Sequence, residues 1–416
     1  MTIGGSSQIF IVDCWGCNEM RPVDSSLYWS LPTPMKFIHE LADAAKSSRA
    51  VIISLPREMS IDPQPAILRA LQGAGIIKPV VLSIGDGANI SVTIGRHFDD
   101  RSMPAELLAV QEYGAPHAIV LNPVGSKAQT HCEKYAAEFI QAASPKAGDI
   151  RLVMSIRDGE DVKSDQQGTT SFVMFDGGLG PSEISAYVAM RMVSVDGPGS
   201  TSLYRQLVAE YASFDASLAE TLARMPGNEL EALPNSLTPY VTEGLMRWGR
   251  LGWLYGTRSR ASAQVHPLHE WYLATHSETD ADRFRRLAER RYWQACVKSI
   301  LPWMEERRSQ IIEVLKCLID ELAQQAGAGG KLNKQIGKNL ILVDRDDLEY
   351  ADLSYQMRLF KNRDLSAIVS RALSVCEYAR KVRHDLSHLR TPNLNDLRRL
   401  IQEMDMLIPA TKDGGS

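Results

Sequence analysis

Apolar, β-branched runs alternating with helical stretches fill the first half of this chain, and they constrain its fold most. The runs are Gln8–Asp13, Arg49–Leu55, Lys78–Ile84, His117–Asn122, Ile150–Ser155 and Ser171–Asp176. Continuous runs, without a polar residue at every second place, point to strands covered on both faces. Helical periodicity falls between them, at 34–46, 63–72, 105–112, 130–143 and 181–193. The pattern predicts a mainly parallel α/β sheet with flanking helices. Ser91–Gly95 reads as a further short β piece.

Sheets of this kind often bind nucleotides at the carboxyl ends of their strands, so a phosphate loop should be sought. A phosphate cradle needs glycine amides and a lysine at fixed offsets. GxxxxGK[ST] is absent, and no GxGxxG follows the first run. Gly125-Ser-Lys127 places a lysine after a strand with the wrong glycine spacing. Gly327-Ala-Gly-Gly-Lys331 lies between helical segments and lacks a following Ser or Thr. Conventional ATP hydrolysis is therefore not expected, and no cofactor is predicted.

From about residue 200 the period changes from strand to helix. Ser202–Met225 and Pro239–Trp253 read as helices, and Gly256–Pro267 as loop. Ser277 with Asp280 three residues on resembles a capping box and opens a helical run to about Gln325, which Pro302 should interrupt or kink. Asn339–Val343 is a short extended piece. Leu348–Phe360, Leu365–Leu389 and Leu394–Leu407 complete an all-α bundle. The expected division is an α/β domain over 1–200, a helical connector over 201–276 and a helical bundle over 277–416.

Net charge is −4 and the sequence pI about 6.2, so no basic field advertises nucleic-acid binding. The absence of a signal-like N-terminus and of long apolar runs points to a cytoplasmic protein without a membrane span. Cys132, Cys296, Cys317 and Cys376 fall singly, mostly in apolar runs, as reduced thiols do in a cytosol. Cys14-Trp-Gly-Cys17 could be a redox pair or half of a zinc site. Its flanks supply neither a helix start nor a second ligand pair, so it reads as structural, and no metal site is predicted.

The residues with most chemistry are Arg383, His384, Asp385 and His388. Arg383 and His388 have four residues between them, roughly 500° around a helix, so they share one broad side without stacking. Arginine can hold a scissile phosphate, and histidine can move a proton. The bland alternative is a polar network at a helix end, with a carboxylate such as Asp385 paired to Arg383.

The stretch Arg383-His-Asp-Leu-Ser-His-Leu389 resembles the R-(N/H/D)-x3-H signature of the HEPN superfamily, helical domains that include metal-independent RNases. Together with Gly180–Arg191, Tyr292–Arg308 and Asp346–Leu353, it also resembles the bacterial iSTAND proteins of conflict and phage-defence clusters. Those proteins join a degenerate P-loop-type α/β domain to a HEPN-derived tail. The resemblance implies a sensor or scaffold without NTPase chemistry, whose tail forms a homodimer and works with other defence-cluster proteins. The alternative it implies is an endoribonuclease with a composite dimeric site and RNA as substrate. Arg383 and His388 would then be catalytic, oriented by His384 or Asp385. Residue by residue, plainer readings stand beside these. Tyr292, Trp293 and Trp303 read as core, Arg285, Arg286, Arg290, Arg291, Arg307 and Arg308 as solvated helix faces, and Asp347, Glu349 and Asp352 as helix N-terminal charge.

Overall fold

The structure, a computed structural model, describes residues 23–55, 61–143, 148–157, 169–175, 177–192, 198–241, 254–255, 264–325, 331–336, 339–360 and 365–408. Gln8–Asp13, Cys14 and Cys17 lie outside them. The chain divides into two compact units: residues 1–187, 214–221 and 237–272, and residues 188–213, 222–236 and 273–416. The segment 201–276 is shared between the units.

The first unit is built on a five-stranded, all-parallel sheet. Its strands are β1 (Ala50–Leu55), β2 (Lys78–Gly85), β3 (His117–Val124), β4 (Ile150–Arg157) and β5 (Thr170–Met174). Their order is β2-β3-β4-β1-β5. All six residues of β1 are buried, as an uninterrupted apolar run inside a two-sided sheet requires. The edge strand β2 is half-exposed. Helices α1 (Pro32–Ser47), α2 (Gln64–Gly73), α3 (Ile90–His97), α4 (Ala105–Val110), α5 (Ser126–Ala142) and most of α6 (Pro181–Arg191) belong to the same unit. Ile52, Leu121, Leu152 and Met154 from the sheet meet Ala128, Cys132, Ala136 and Phe139 of α5 in one apolar cluster. A second cluster is aromatic: Phe175 stacks on Phe37, with ring centroids 4.7 Å apart, and Trp29 lies 5.4 Å from Phe175.

Ser91–Gly95 is helical, not extended. It lies inside α3, whose N-cap Asn89 accepts a hydrogen bond from the Val92 amide at 3.1 Å. That cap overrides the β preference of the Ile-Ser-Val-Thr-Ile run. Glu183 fastens α6. Its buried carboxylate accepts from the Gly180 amide, 2.8 Å away, and from the Thr33 amide at the start of α1.

The second unit is mainly helical. It contains α7 (Pro198–Ala212), α9 (Gly227–Glu231), α11 (Glu278–Val314), α12 (Lys316–Gln325), α13 (Tyr350–Gln356), α14 (Ala367–Ser387) and α15 (Leu394–Leu407). Between them in sequence, α8 (Ala216–Leu222) and most of α10 (Pro267–His276) belong to the first unit. Pro302 does not interrupt α11. The helix runs through it and ends instead before Leu315. A mid-helix proline costs about 3 kcal/mol, and burial of Ile300, Trp303, Met304, Ile311 and Ile312 around it supplies more than that. The Ser277 cap forms as the sequence predicts, its side chain accepting from the Asp280 amide. The expected single helix over Ser202–Met225 breaks at Ser213, whose φ is +60°. Asp215 then starts α8 by accepting from the Ser217 amide at 2.8 Å. Asn339–Val343 pairs antiparallel with Leu332–Ile336 in a hairpin, β6 (Leu332–Ile336) and β7 (Asn339–Val343). Among the described residues, no helix is long and apolar enough to cross a membrane.

Candidate functional site

The described carboxyl ends of the sheet carry no built phosphate loop. Residues 56–60, directly after β1, lie outside the described set. After β3, Gly125 has a φ of +110° and opens α5. The free amides of a helix start attract anions, yet this one already holds a carboxylate of the same chain. Asp86, just past β2, places Oδ1 2.7 Å from the Ala128 amide. Lys127 stands exposed beside it. The Gly-Ser-Lys stretch thus starts a helix capped from within.

The second set of candidates ends α14. Arg383 sits in its last turns, and His388 is the C-cap residue. A Schellman arrangement closes the helix: the Arg390 amide donates to the Asp385 carbonyl at 2.9 Å, and the Leu389 amide to that of Leu386 at 3.3 Å. Leu389 has a φ of +57°, in the left-handed region. Trp293 of α11 also donates its indole N–H to the Leu386 carbonyl, at 3.0 Å, so it anchors the helix end to the bundle.

Arg383 and His388 have separate partners. The Arg383 guanidinium donates to Glu349 at 2.6 Å and lies 3.9 Å from Glu305. Glu349 is also 3.5 Å from Lys334, which pairs with Asp352 at 3.0 Å. Glu305 is bonded to Arg308 at 3.0 Å, and Arg308 donates onward to the carbonyls of Asp346 and Leu348. Arg383 therefore belongs to an ion network joining α11, the hairpin and α13. Asp385 is half-buried, and its backbone carbonyl serves the cap. His384 and His388 are exposed and lie edge to face, with ring centroids 4.4 Å apart.

The plainer readings of neighbouring residues fit this geometry. Trp303 is buried. Asp352 accepts from the Glu349 amide at 3.0 Å, at the start of α13. Burial pushes the Cys132 thiol up to about 11, and those of Cys296 and Cys376 up to about 12, as unreactive core thiols require. The sequence reading missed one pair in the first unit. His266 and Asp215, both fully buried, meet at 2.8 Å between Nε2 and Oδ2, and the Leu268 amide donates to His266 Nδ1. The sole sequence signal was the helix-start signature of Asp215.

No protein-family model matches the chain, and no curated protein does. Among solved structures, the chain is similar to the crystal structure of the FIGL-1 AAA domain. The identity is 10%, over 65% of this chain and 91% of that chain, with a TM-score of 0.29. A likeness at that level carries no argument.

Proposed function

We propose that this chain is a sensor or scaffold of a bacterial conflict or antiphage defence system. In this reading a degenerate P-loop-like α/β unit lacks NTPase chemistry, and a HEPN-like helical unit serves signalling or dimerisation. The resemblance of its motifs supplies the biological setting. The engagement of Arg383 by Glu349 and Glu305 carries the choice of scaffold over nuclease. An arginine that stabilises a phosphorane-like charge must present its donors to substrate, and this one gives a hydrogen bond to Glu349 and stands beside Glu305, both carboxylates of its own chain.

One observation favours the nuclease instead: His388 is exposed at the end of a rigidly capped helix, where a proton carrier could reach RNA. The test is incubation of single-stranded RNA with wild type, Arg383→Ala and His388→Ala, with and without EDTA, at several protein concentrations. No cleavage is expected. EDTA-resistant cleavage to 2′,3′-cyclic phosphate ends, lost in both variants, would replace the scaffold with the enzyme. Calorimetry with ATP–Mg²⁺ should give negligible binding, because no glycine loop supplies a lysine to the phosphates. Micromolar affinity abolished by Lys127→Ala would refute that.

A further inference from the structure

The two exposed imidazoles at the end of α14 lie side by side, with ring centroids 4.4 Å apart. We propose that His384 and His388 together bind one divalent transition-metal ion of the nitrogen-preferring kind, such as Ni²⁺, Cu²⁺ or Zn²⁺, with solvent in the remaining positions. The proposal stands on these side chains alone and does not depend on the scaffold reading.

The spacing comes first. Residues four apart on a helix project from the same face, and paired histidines at that spacing are a known way to present two nitrogens to one metal. The dimensions come next. With metal–nitrogen bonds near 2.0–2.1 Å and about 1.1 Å more from nitrogen to ring centre, two rings bound at right angles have centroids about 4.5 Å apart. A tetrahedral angle would put them about 5.2 Å apart by the same geometry. The observed separation of 4.4 Å puts the two rings within the reach of one ion.

Preorganisation is the third point. The position of His388 relative to His384 is set by bonds that do not involve either ring. The His388 amide donates to the carbonyls of His384 and Asp385, the Arg390 amide donates to Asp385, and Trp293 pins Leu386. The carbonyl end of a 21-residue helix also carries partial negative charge, which favours a cation there. Arg383, the nearest cation along the helix, is neutralised by Glu349 and Glu305. Binding exchanges two metal-bound waters for two unprotonated ring nitrogens, and both imidazoles must give up any proton they carry. Among the described residues there is no group of three or more His, Cys, Asp or Glu side chains that could hold a metal. The site is therefore one of two protein ligands and of moderate affinity.

The experiment is a calorimetric titration of Ni²⁺ into tag-free full-length protein. Cys14→Ser/Cys17→Ser serves as the common background, so that those thiols do not compete. One equivalent should bind in the presence of excess Mg²⁺. Either His384→Gln or His388→Gln should weaken it by roughly tenfold or more, because each removes the chelate advantage. His276→Gln, at another exposed histidine, should leave it unchanged. Equal affinity in either single variant, or an equal loss in His276→Gln, would overturn the proposal. A second measurement needs no variant at the site. Electron paramagnetic resonance of one Cu²⁺ equivalent should show two coordinating imidazole nitrogens, and a single nitrogen would overturn the assignment as well.

Discussion

Replacing Arg383 with alanine separates an architectural arginine from a catalytic one, and the structure sets the size of the effect. The guanidinium makes one charged hydrogen bond, 2.6 Å to Glu349, with side chains 33% and 46% exposed. Exposure on that scale leaves the pair screened by water, so its coupling is about 0.5–1 kcal/mol. The 3.9 Å approach to Glu305 adds little. Neither glutamate is stranded by the change. Glu349 keeps Lys334 at 3.5 Å, and Glu305 keeps Arg308 at 3.0 Å. Loss of the aliphatic stem brings the total to about 1 kcal/mol, far below the 3–5 kcal/mol of an abandoned buried charge. A melting-point drop of about 2–4 °C should accompany it. Urea unfolding of Arg383→Ala, Glu349→Ala and the double variant gives the coupling directly. A coupling indistinguishable from zero would refute the network as a holder of Arg383. A loss above about 3 kcal/mol would refute the screening argument.

Asp215→Ala removes both a helix cap and the partner of a fully buried histidine, so it should cost about 2–4 kcal/mol by denaturant unfolding, with Asp215→Asn in between. Leu389→Gly should stabilise the protein by up to about 1 kcal/mol, since this exposed leucine holds the left-handed position that suits glycine. Burial, and then His266 beside it, lowers the pKa of His269 in the folded state. The unfolded chain therefore binds the proton more readily, and stability should fall as pH drops below about 6.5, the ordinary histidine value. His269→Gln should flatten that limb of the profile, and an unchanged slope would count against it.

Strong periodicity was legible in the sequence; single caps that compete with it, and contacts between distant residues, were not. The Leu394–Leu407 helix and the Ser277 cap follow from local periodicity and a side chain three residues from its amide, and both stand in the structure. The parallel sheet follows from runs too apolar to face water. The helix at Ile90–His97 was misread because β-branched content outweighed the Asn89 cap, although the cap was equally visible. The break at Ser213 was missed because the helical periodicity runs on past it, with Asp215 as the overlooked cap. Pro302 fails as a breaker because its cost is met by packing that only the assembled bundle provides.

At the candidate site this division is sharpest. The four-residue interval between Arg383 and His388 fixed which side chains share a helix end, but not what each would touch. The nearest carboxylate in sequence, Asp385, is not the one that takes the arginine. Glu349, 34 residues away, does so, because α13 and α14 pack against each other and bring its carboxylate within reach. His388, left without that cation, meets His384 one turn earlier. The short motif has thus come apart into two pairs with different chemistry. One is an ion pair that ties helices together, and the other an exposed imidazole pair free to take a ligand. A composite active site would have to reverse the first pairing before using the second, and the cost of that reversal is the coupling energy that the Arg383–Glu349 cycle measures.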